Sequence, residues 1–317
     1  MPRTYSPQQV AQFLTLLDVP SEYHAQDVAP SLQFLRVFHT HMISTIPFET
    51  LDLHYTESRQ IQLEPEALFQ KLVANGRGRG GYCLENNQLF LYMLRDLGFQ
   101  AYPVGAKIRP RVDGIPQGEY MCWVHIVLIV TLADGSRWMV DVAFGGDGPT
   151  QPMPLEDGAA NRNMGTQDAR LMRDFMPGQV SRDPAHKMWQ YQCRNSEALP
   201  WTTYYVFSDA VEWLAPDFSL INCFTGVSMK SHAITNVLMV KFSRRPADSG
   251  DEQSIYGKRM LVNDVIKENL GGKTRVVQEC KNEEERIAAL RKWFGVELTE
   301  EESRAIRGHV TDLDRAS

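Results

Sequence analysis

Two consecutive apolar segments, each interrupted by one ionisable side chain, set the strictest limits on what this chain can fold into. Cys122-Trp-Val-His125-Ile-Val-Leu-Ile-Val130 is an almost wholly apolar run with an imidazole inside it. Trp138-Met-Val-Asp141-Val-Ala-Phe144 is a second such run with a carboxylate inside it. The Asp134-Gly135 pair between them is a hairpin-turn signal, so the two segments are expected as adjacent antiparallel strands. An unpaired polar group in such a strand costs about 2 kcal/mol or more. Pairing His125 with Asp141 removes that cost, and the hairpin brings the two side chains near each other.

A third residue turns this pair toward chemistry. Cys83 follows a glycine-rich turn, Arg79-Gly80-Gly81-Tyr82, and opens the apolar-periodic run Leu84 to Leu97. A thiol at a helix N-terminus lies among backbone N–H groups and the positive end of the helix dipole, which favour the thiolate, the form that attacks carbonyl carbon. Cys83, His125 and Asp141 then read as nucleophile, base and orienter. The Gly80-Gly81 pair is expected to let another molecule's backbone or acyl group approach. Each residue also has a plainer explanation: Cys83 as a small buried hydrophobe, His125 as a satisfied core histidine with Asp141 as its partner.

The other motifs exclude more than they suggest. Cys122, Cys193, Cys223 and Cys280 show no Cys-x-x-Cys spacing, and the total of five is odd, which argues against a disulfide framework and a zinc site. His39 and His41 lie two apart, not at the helical spacing of a metal-ligand pair, and are expected in structural roles; no metal is expected. Arg77-Gly-Arg79-Gly-Gly is a single RGG-like stretch in a chain of net charge −6, so nucleic acid is not an expected partner. The same stretch lacks the Gly-Lys-Ser/Thr ending of a phosphate-binding loop. Gly145-Gly146-Asp147-Gly148 reads as a tight turn near the same site. The polar N-terminus lacks the apolar core of a signal peptide, and the longest apolar run is far short of the ~20 residues that span a bilayer, so a soluble chain in a reducing compartment is expected.

The 317 residues, 43% of them hydrophobic, allow two or three lobes around one cleft. Helices are expected from the cap Ser6-Pro7, from Pro30-Ser31, from Pro65 to a C-cap at Gly76, and from Cys83 to Gly98. Beyond Phe99 the period changes to that of strands: Ala101 to Ile108, Cys122 to Leu132, Trp138 to Phe144, Met188 to Cys193 and Thr202 to Phe207. Gly145 to about Pro184 is expected to carry a long loop. Strands return at Ala233 to Phe242 and Met260 to Val262, followed by a helix from Glu283 to Phe294 and another starting near Gly295.

These motifs resemble the arylamine N-acetyltransferase family. Arg79-Gly-Gly-Tyr-Cys83-Leu-Glu-x-Asn87 is similar to that family's nucleophile motif, and the likeness extends to Ile46-Pro-Phe48-Glu-Thr-Leu-Asp52, to His125 in its strand, to Asp141-Val-Ala-Phe144-Gly145 and to Leu290-Arg-Lys-Trp-Phe-Gly-Val-Glu-Leu-Thr. The resemblance implies an α+β fold with a cysteine-protease-like Cys-His-Asp triad: a helical bundle over 1–98, a β-barrel with a long interdomain insertion over 99–207, and an α/β lid over 208–317. It implies a ping-pong acyl transfer from a coenzyme A thioester, acetyl-CoA or malonyl-CoA, through acyl-Cys83 to an arylamine or hydrazine. The insertion resembles that of eukaryotic members, so a cytoplasmic enzyme without a membrane partner is expected. Phe48 and Phe144 resemble the aromatic pocket residues, and core packing is the equal alternative. Gly145, Asn222, Phe224 and Ser231 are carried over as coenzyme contacts, although Gly226, Met229 and Ala233 depart from the family's pattern in that segment. Lys107 and Arg109 are candidates for a positive rim, with Arg109 facing the acyl pocket as a hypothesis for a malonyl donor. Two other readings remain open: a cysteine hydrolase or amidase using the same three residues, and a catalytically silent binding protein.

Overall fold

The structure, a computed structural model, describes residues 3–25, 27–112, 114–245 and 255–315. Helix α1 (Pro7–Leu16) starts where its cap lies: Ser6 Oγ accepts from the Gln9 N–H and the Gln9 side chain accepts from the Ser6 N–H. Helix α2 (Leu32–Thr45) is capped by Ser31, whose Oγ accepts from the Phe34 N–H. A two-residue strand β1 (Phe48–Glu49) and a short helix α3 (Asp52–Tyr55) follow. Helix α4 (Pro65–Phe69) continues as a wider turn over 70–74 and stops at Gly76, whose φ of +63° suits glycine. Helix α5 (Cys83–Asp96) ends at Gly98 in the same manner, with φ +89°. Phe13, Phe34, Phe38 and Phe90 pack the space between these helices with no exposed surface, Phe38 stacking on Phe90 at 4.5 Å between centroids. Burial of each such ring stabilises the packing by about 1.5–3 kcal/mol.

The chain then changes to strands, as the period shift at Phe99 leads one to expect. Strands β2 (Gln100–Ile108), β3 (Arg111–Val112), β4 (Ile115–Pro116), β5 (Trp123–Thr131), β6 (Arg137–Val140), β7 (Met153–Pro154), β8 (Ala160–Arg162), β9 (Asp168–Asp174), β10 (Met188–Arg194) and β11 (Thr202–Phe207) follow in order. Eight of them form one antiparallel sheet in the order β7-β6-β5-β2-β11-β10-β9-β8. Its edges approach each other, with the Asn161 amide of β8 3.8 Å from Met153 Sδ of β7, so the sheet is a nearly closed barrel. Strands β3 and β4 stand apart as a small hairpin between β2 and β5. The hairpin between β5 and β6 turns at Asp134-Gly135, Gly135 having φ +83°.

The third stretch comprises α6 (Ala215–Val227), α7 (His232–Thr235), β12 (Leu238–Arg244), β13 (Ile255–Val262), β14 (Val265–Asn269), β15 (Arg275–Glu279), α8 (Glu283–Ala289), continued as a wider turn over 290–294, and α9 (Glu300–Ala305). Its antiparallel sheet runs β1-β12-β13-β14-β15, so Phe48 and Glu49 from the N-terminal helices pair with Val240 and Met239. Two expectations are corrected, and one helix had not been anticipated. The supposed long loop holds β9, whose buried Ala169 and Leu171 are followed in the same alternation by exposed Arg173, so the period lasts too few residues to stand out. Residues 215–227 form a helix, and the strand expected from Ala233 begins only at Leu238, after α7.

The C-terminal residues lock onto α3. Arg286, with no exposed surface, pairs with Glu283 and donates to the Tyr55 hydroxyl at 2.7 Å and the Thr311 carbonyl at 2.9 Å. His54 Nε2 donates to the carbonyls of Ala233 (2.9 Å) and Asn236 (3.0 Å), while its Nδ1 faces Thr311 Oγ1 (2.9 Å) and His309 (3.4 Å). Burial, then the charges of His309 and Arg286, push the His54 imidazole down to about 3, and burial also lowers His309. An imidazole held neutral stabilises the fold above its ordinary value of about 6.5, and that contribution is lost as pH falls. The share of stability that His54 supplies should therefore shrink from pH 7 to pH 5. His54→Gln should cost about 1–3 kcal/mol at pH 7 and less at pH 5, measured by circular dichroism melts of both proteins.

Candidate active site

A buried charge network sets the turn before Cys83. Arg79, 3% exposed, donates from Nε to Glu49 at 2.9 Å and from Nη1 to Glu302 at 3.1 Å, and its other amino group meets Asp52. Lys71 reaches Asp52 and Glu85, each at 2.7 Å, and Arg77 pairs with Glu302. Glu85 also accepts the Tyr82 N–H at 3.0 Å, closing the first turn of α5. Four carboxylates meet three cations here, and the surplus shows at Glu85, which is pushed up to about 7 by burial and by Asp52 and Glu49, against the pull of Lys71. The glycines before Cys83 serve this packing. A Cβ on Gly80 would lie 1.8 Å from the Pro47 carbonyl oxygen, and one on Gly81 2.5 Å from Glu85 Cβ. The clearance expected for a visiting molecule is filled by the protein itself.

Cys83 is the first residue of α5 and 7% exposed. Its thiol lies 3.7 Å from the Val124 carbonyl. Val124 sits at a bulge where β2 and β5 shift register, Ala106 opposing His125 and Lys107 opposing Trp123. His125 donates from Nε2 to Asp141 Oδ2 at 2.7 Å and contacts the Cys83 thiol as well. Asp141 lies one residue past the end of β6, and its Oδ1 accepts from the Ala143 N–H (3.0 Å) and from Asn87 Nδ2 (3.2 Å). Burial would lower His125, but the Asp141 carboxylate, its hydrogen bond and the Cys83 contact raise it to about 10. Burial would likewise raise Asp141, and His125 together with the two donors keeps it below the ordinary carboxylate value.

Asn87 is a residue whose role sequence reasoning missed. Its amide donates to the Ile126 carbonyl and to Asp141, and its oxygen accepts the Val142 N–H, so one side chain fixes α5 to both strands. The available signal was its position one helical turn after Cys83, on the same face. His39 and His41 are buried in α2 as expected for structural residues: His41 Nδ1 lies 2.9 Å from the Leu17 carbonyl, and burial pushes His39 down to about 4.

Aromatic rings wall the space beside His125. Phe144 packs edge-on against it at 5.2 Å and Tyr205 lies at 5.4 Å. Phe48, Asp141, Phe144 and Gly145 line one small pocket. Lys107 lies 5.0 Å over the Trp123 ring, and Arg109 lies over Tyr120 with Nε donating to the Gly118 carbonyl. The cation over Phe144 is Arg111. Asn222 and Phe224 are on α6, and Ser231 is buried just before α7. Asn222 accepts from the Tyr82 hydroxyl at 2.7 Å and donates to the Ile61 carbonyl at 2.9 Å, so it bolts α6 to the nucleophile turn. All five cysteines are free, and the described residues contain no cluster of metal-ligating side chains and no helix long and apolar enough to cross a membrane. Replacing Asp141 by Asn leaves only the Cys83 contact to oppose burial, the largest influence, at His125. Its imidazole, protonated to about pH 10 in the intact protein, should then titrate below about 6.5, as read by NMR of 15N-histidine-labelled protein.

Residues 31–303 match a family model described as N-acetyltransferase. An N-malonyltransferase of Gibberella moniliformis is 32% identical over 289 residues, covering 87% of this chain and 80% of that protein. The solved arylamine N-acetyltransferase of Salmonella typhimurium superposes with a TM-score of 0.73 at 26% identity, over 94% of this chain and 97% of that one. The Mycobacterium marinum arylamine N-acetyltransferase, solved in complex with CoA, shares the fold with a TM-score of 0.75 at 23% identity, over 95% of this chain and 98% of that one. A family match across most of the length, a relative aligned over most of both chains and a common fold lead to one conclusion: the chain belongs to the arylamine N-acetyltransferase family and is an acyltransferase.

Proposed function

We propose that the protein transfers an acyl group from a coenzyme A thioester to an arylamine or hydrazine by a ping-pong reaction through acyl-Cys83. The observation that carries this reading is His125, which touches the Cys83 thiol on one side and is bonded to a buried carboxylate on the other. The Cys83 thiolate attacks the thioester carbonyl, the new C–S bond forms, the bond to the coenzyme sulfur breaks, and the coenzyme leaves as its thiol with the proton given up by the His125 imidazolium, which becomes neutral. Exchanging one thioester for another is close to even in energy. An amine then attacks acyl-Cys83, His125 accepts the amine's proton, and the thiolate departs as the amide is released. Asp141 holds the imidazole's tautomer and stabilises its charged form, and the Cys83 N–H, at the start of α5, is one oxyanion donor.

Phe48 and Phe144 form the aromatic walls for the acyl group and the acceptor ring. Gly145, Asn222, Phe224 and Ser231 are the proposed coenzyme contacts. Among them Gly145, at φ +84° with only the Phe48 ring within 3.9 Å of a notional Cβ, leaves room for a ligand, whereas the Asn222 amide is already engaged. The division 1–98, 99–207 and 208–317 accords with the order of helices, barrel and second sheet. We also place the enzyme in the cytoplasm, in keeping with five free cysteines. The relatives include an N-malonyltransferase, so the donor is acetyl- or malonyl-CoA.

Intact-protein mass after mixing with either donor, with no acceptor, tests the reading. One adduct is expected on wild type, none on Cys83→Ala, and discharge to amide on adding an arylamine. His125→Gln should slow loading by on the order of 10²–10⁴. Release of free acid in place of amide would show a hydrolase and end the proposal.

A further inference from the structure

Arg111 opens the β3–β4 hairpin, and its guanidinium stands 5.9 Å from the centroid of Phe144 and 5.5 Å from that of Tyr204. Phe144 is the ring that packs edge-on against His125, so this cation covers the acyl end of the cleft. One amino group pairs with Asp147 at 2.8 Å, and the same carboxylate lies 3.5 Å from the Lys258 ammonium, a residue only 7% exposed. Two cations thus share one anion, leaving a surplus positive charge against an aromatic wall. Lys258 also donates to the Gly146 carbonyl, whereas Asp147 is the only ion-pair partner of Arg111 among the described residues. A guanidinium has five donors, so the side of the fork turned from Asp147 can take a second carboxylate.

We propose that Arg111 is a specificity-determining residue that selects acyl donors ending in a carboxylate, the malonyl class. The inference rests on the acyl-Cys83 reading. In such a donor the carboxylate carbon lies only two C–C bonds of ~1.5 Å beyond the thioester carbonyl. Its counter-charge therefore belongs beside the ring next to His125, where Arg111 stands, and not over Trp123 or Tyr120, where Lys107 and Arg109 lie. The carboxylate neutralises the cluster and takes no part in bond changes; the C–S bond formed and the C–S bond broken are those already described. The 32%-identical N-malonyltransferase is in keeping with this assignment.

The test is the ratio of malonyl-CoA to acetyl-CoA rate constants for loading Cys83, read by quenched intact-protein mass. Arg111→Gln should lower the ratio about tenfold or more, the range of a charge-assisted hydrogen bond. Asp147→Asn, which frees the guanidinium from its competing carboxylate, should raise it, and Arg109→Gln should move it by less than about twofold, the scale of a screened exposed charge. An unmoved ratio in Arg111→Gln overturns the proposal, as does equal slowing of both donors, which would assign the guanidinium to the coenzyme. If melts show Arg111→Gln unfolded, Asp147→Asn decides: a raised ratio supports the proposal and an unchanged one overturns it. Failure of wild type to load from either donor sinks the acyl-enzyme reading itself, an outcome distinct from a loaded enzyme whose ratio ignores Arg111.

Discussion

The guanidinium of Arg79 and the ammonium of Lys71 lie inside the protein, and everything near Cys83 is arranged to answer those two charges. A buried cation stripped of one partner costs about 3–5 kcal/mol, so the carboxylates around it are not free to drift. Glu49 comes from the strand that joins the second sheet, Asp52 from α3, Glu85 from the nucleophile helix and Glu302 from α9. Satisfying the network therefore sets the relative positions of four elements. The turn 79–82 is held between them, with Gly80 against the Pro47 carbonyl and Gly81 against Glu85. The thiol inherits its place from a charge balance that lies on the far side of the turn.

On the near side the arrangement is simpler and stronger. A thiol, an imidazole and a carboxylate lie in series, all almost wholly buried, with Asn87 and the Ala143 N–H holding the outer carboxylate. Burial opposes charge at both His125 and Asp141, and each overcomes that opposition through the other, so the pair holds its charged form as a unit. In the proposed reaction the apolar rings of Phe144 and Tyr205 beside it disfavour water relative to an aromatic amine as the group that resolves the acyl-enzyme. On the proposed reading the cleft separates two tasks: the buried series performs the transfer, and Arg111 at its mouth discriminates between donors.

Much of this was legible in the chain. The hairpin at Asp134-Gly135, the caps at Ser6 and Ser31 and the helix stops at Gly76 and Gly98 are local features, each written in a few adjacent residues, and each lies where expected. His125 and Asp141 were found because a polar side chain in an apolar run needs a partner, and Cys83 because a glycine-rich turn sets it at the start of a helix. The departures share a different cause. Helix α6 has Pro216 and Asp217 in its first turn and Phe218, Ile221 and Thr225 as its buried stripe, but its other face carries exposed Leu220 and Val227, which blur the period. Strand β9 keeps its alternation only through Leu171, because Arg173 at the next such position is exposed. Arg109 and Arg111 project from the same short stretch, and only the turn of the β3–β4 hairpin decides which of them covers Phe144.

The lock between α3 and the last residues has a consequence for the order of events in the cell. Arg79 waits on Glu302, and His54 waits on His309 and Thr311, all within the final sixteen residues of the 317-residue chain. A ribosome adds residues one at a time from the other end, and roughly thirty seconds pass between emergence of the nucleophile turn and that of its closing partners at about 5–20 residues per second. During that interval the nascent protein holds a cysteine whose setting is incomplete. The setting of Cys83 is thereby tied to residues made long after it, and a chain cut short before α9 would present the thiol without the frame that tames it.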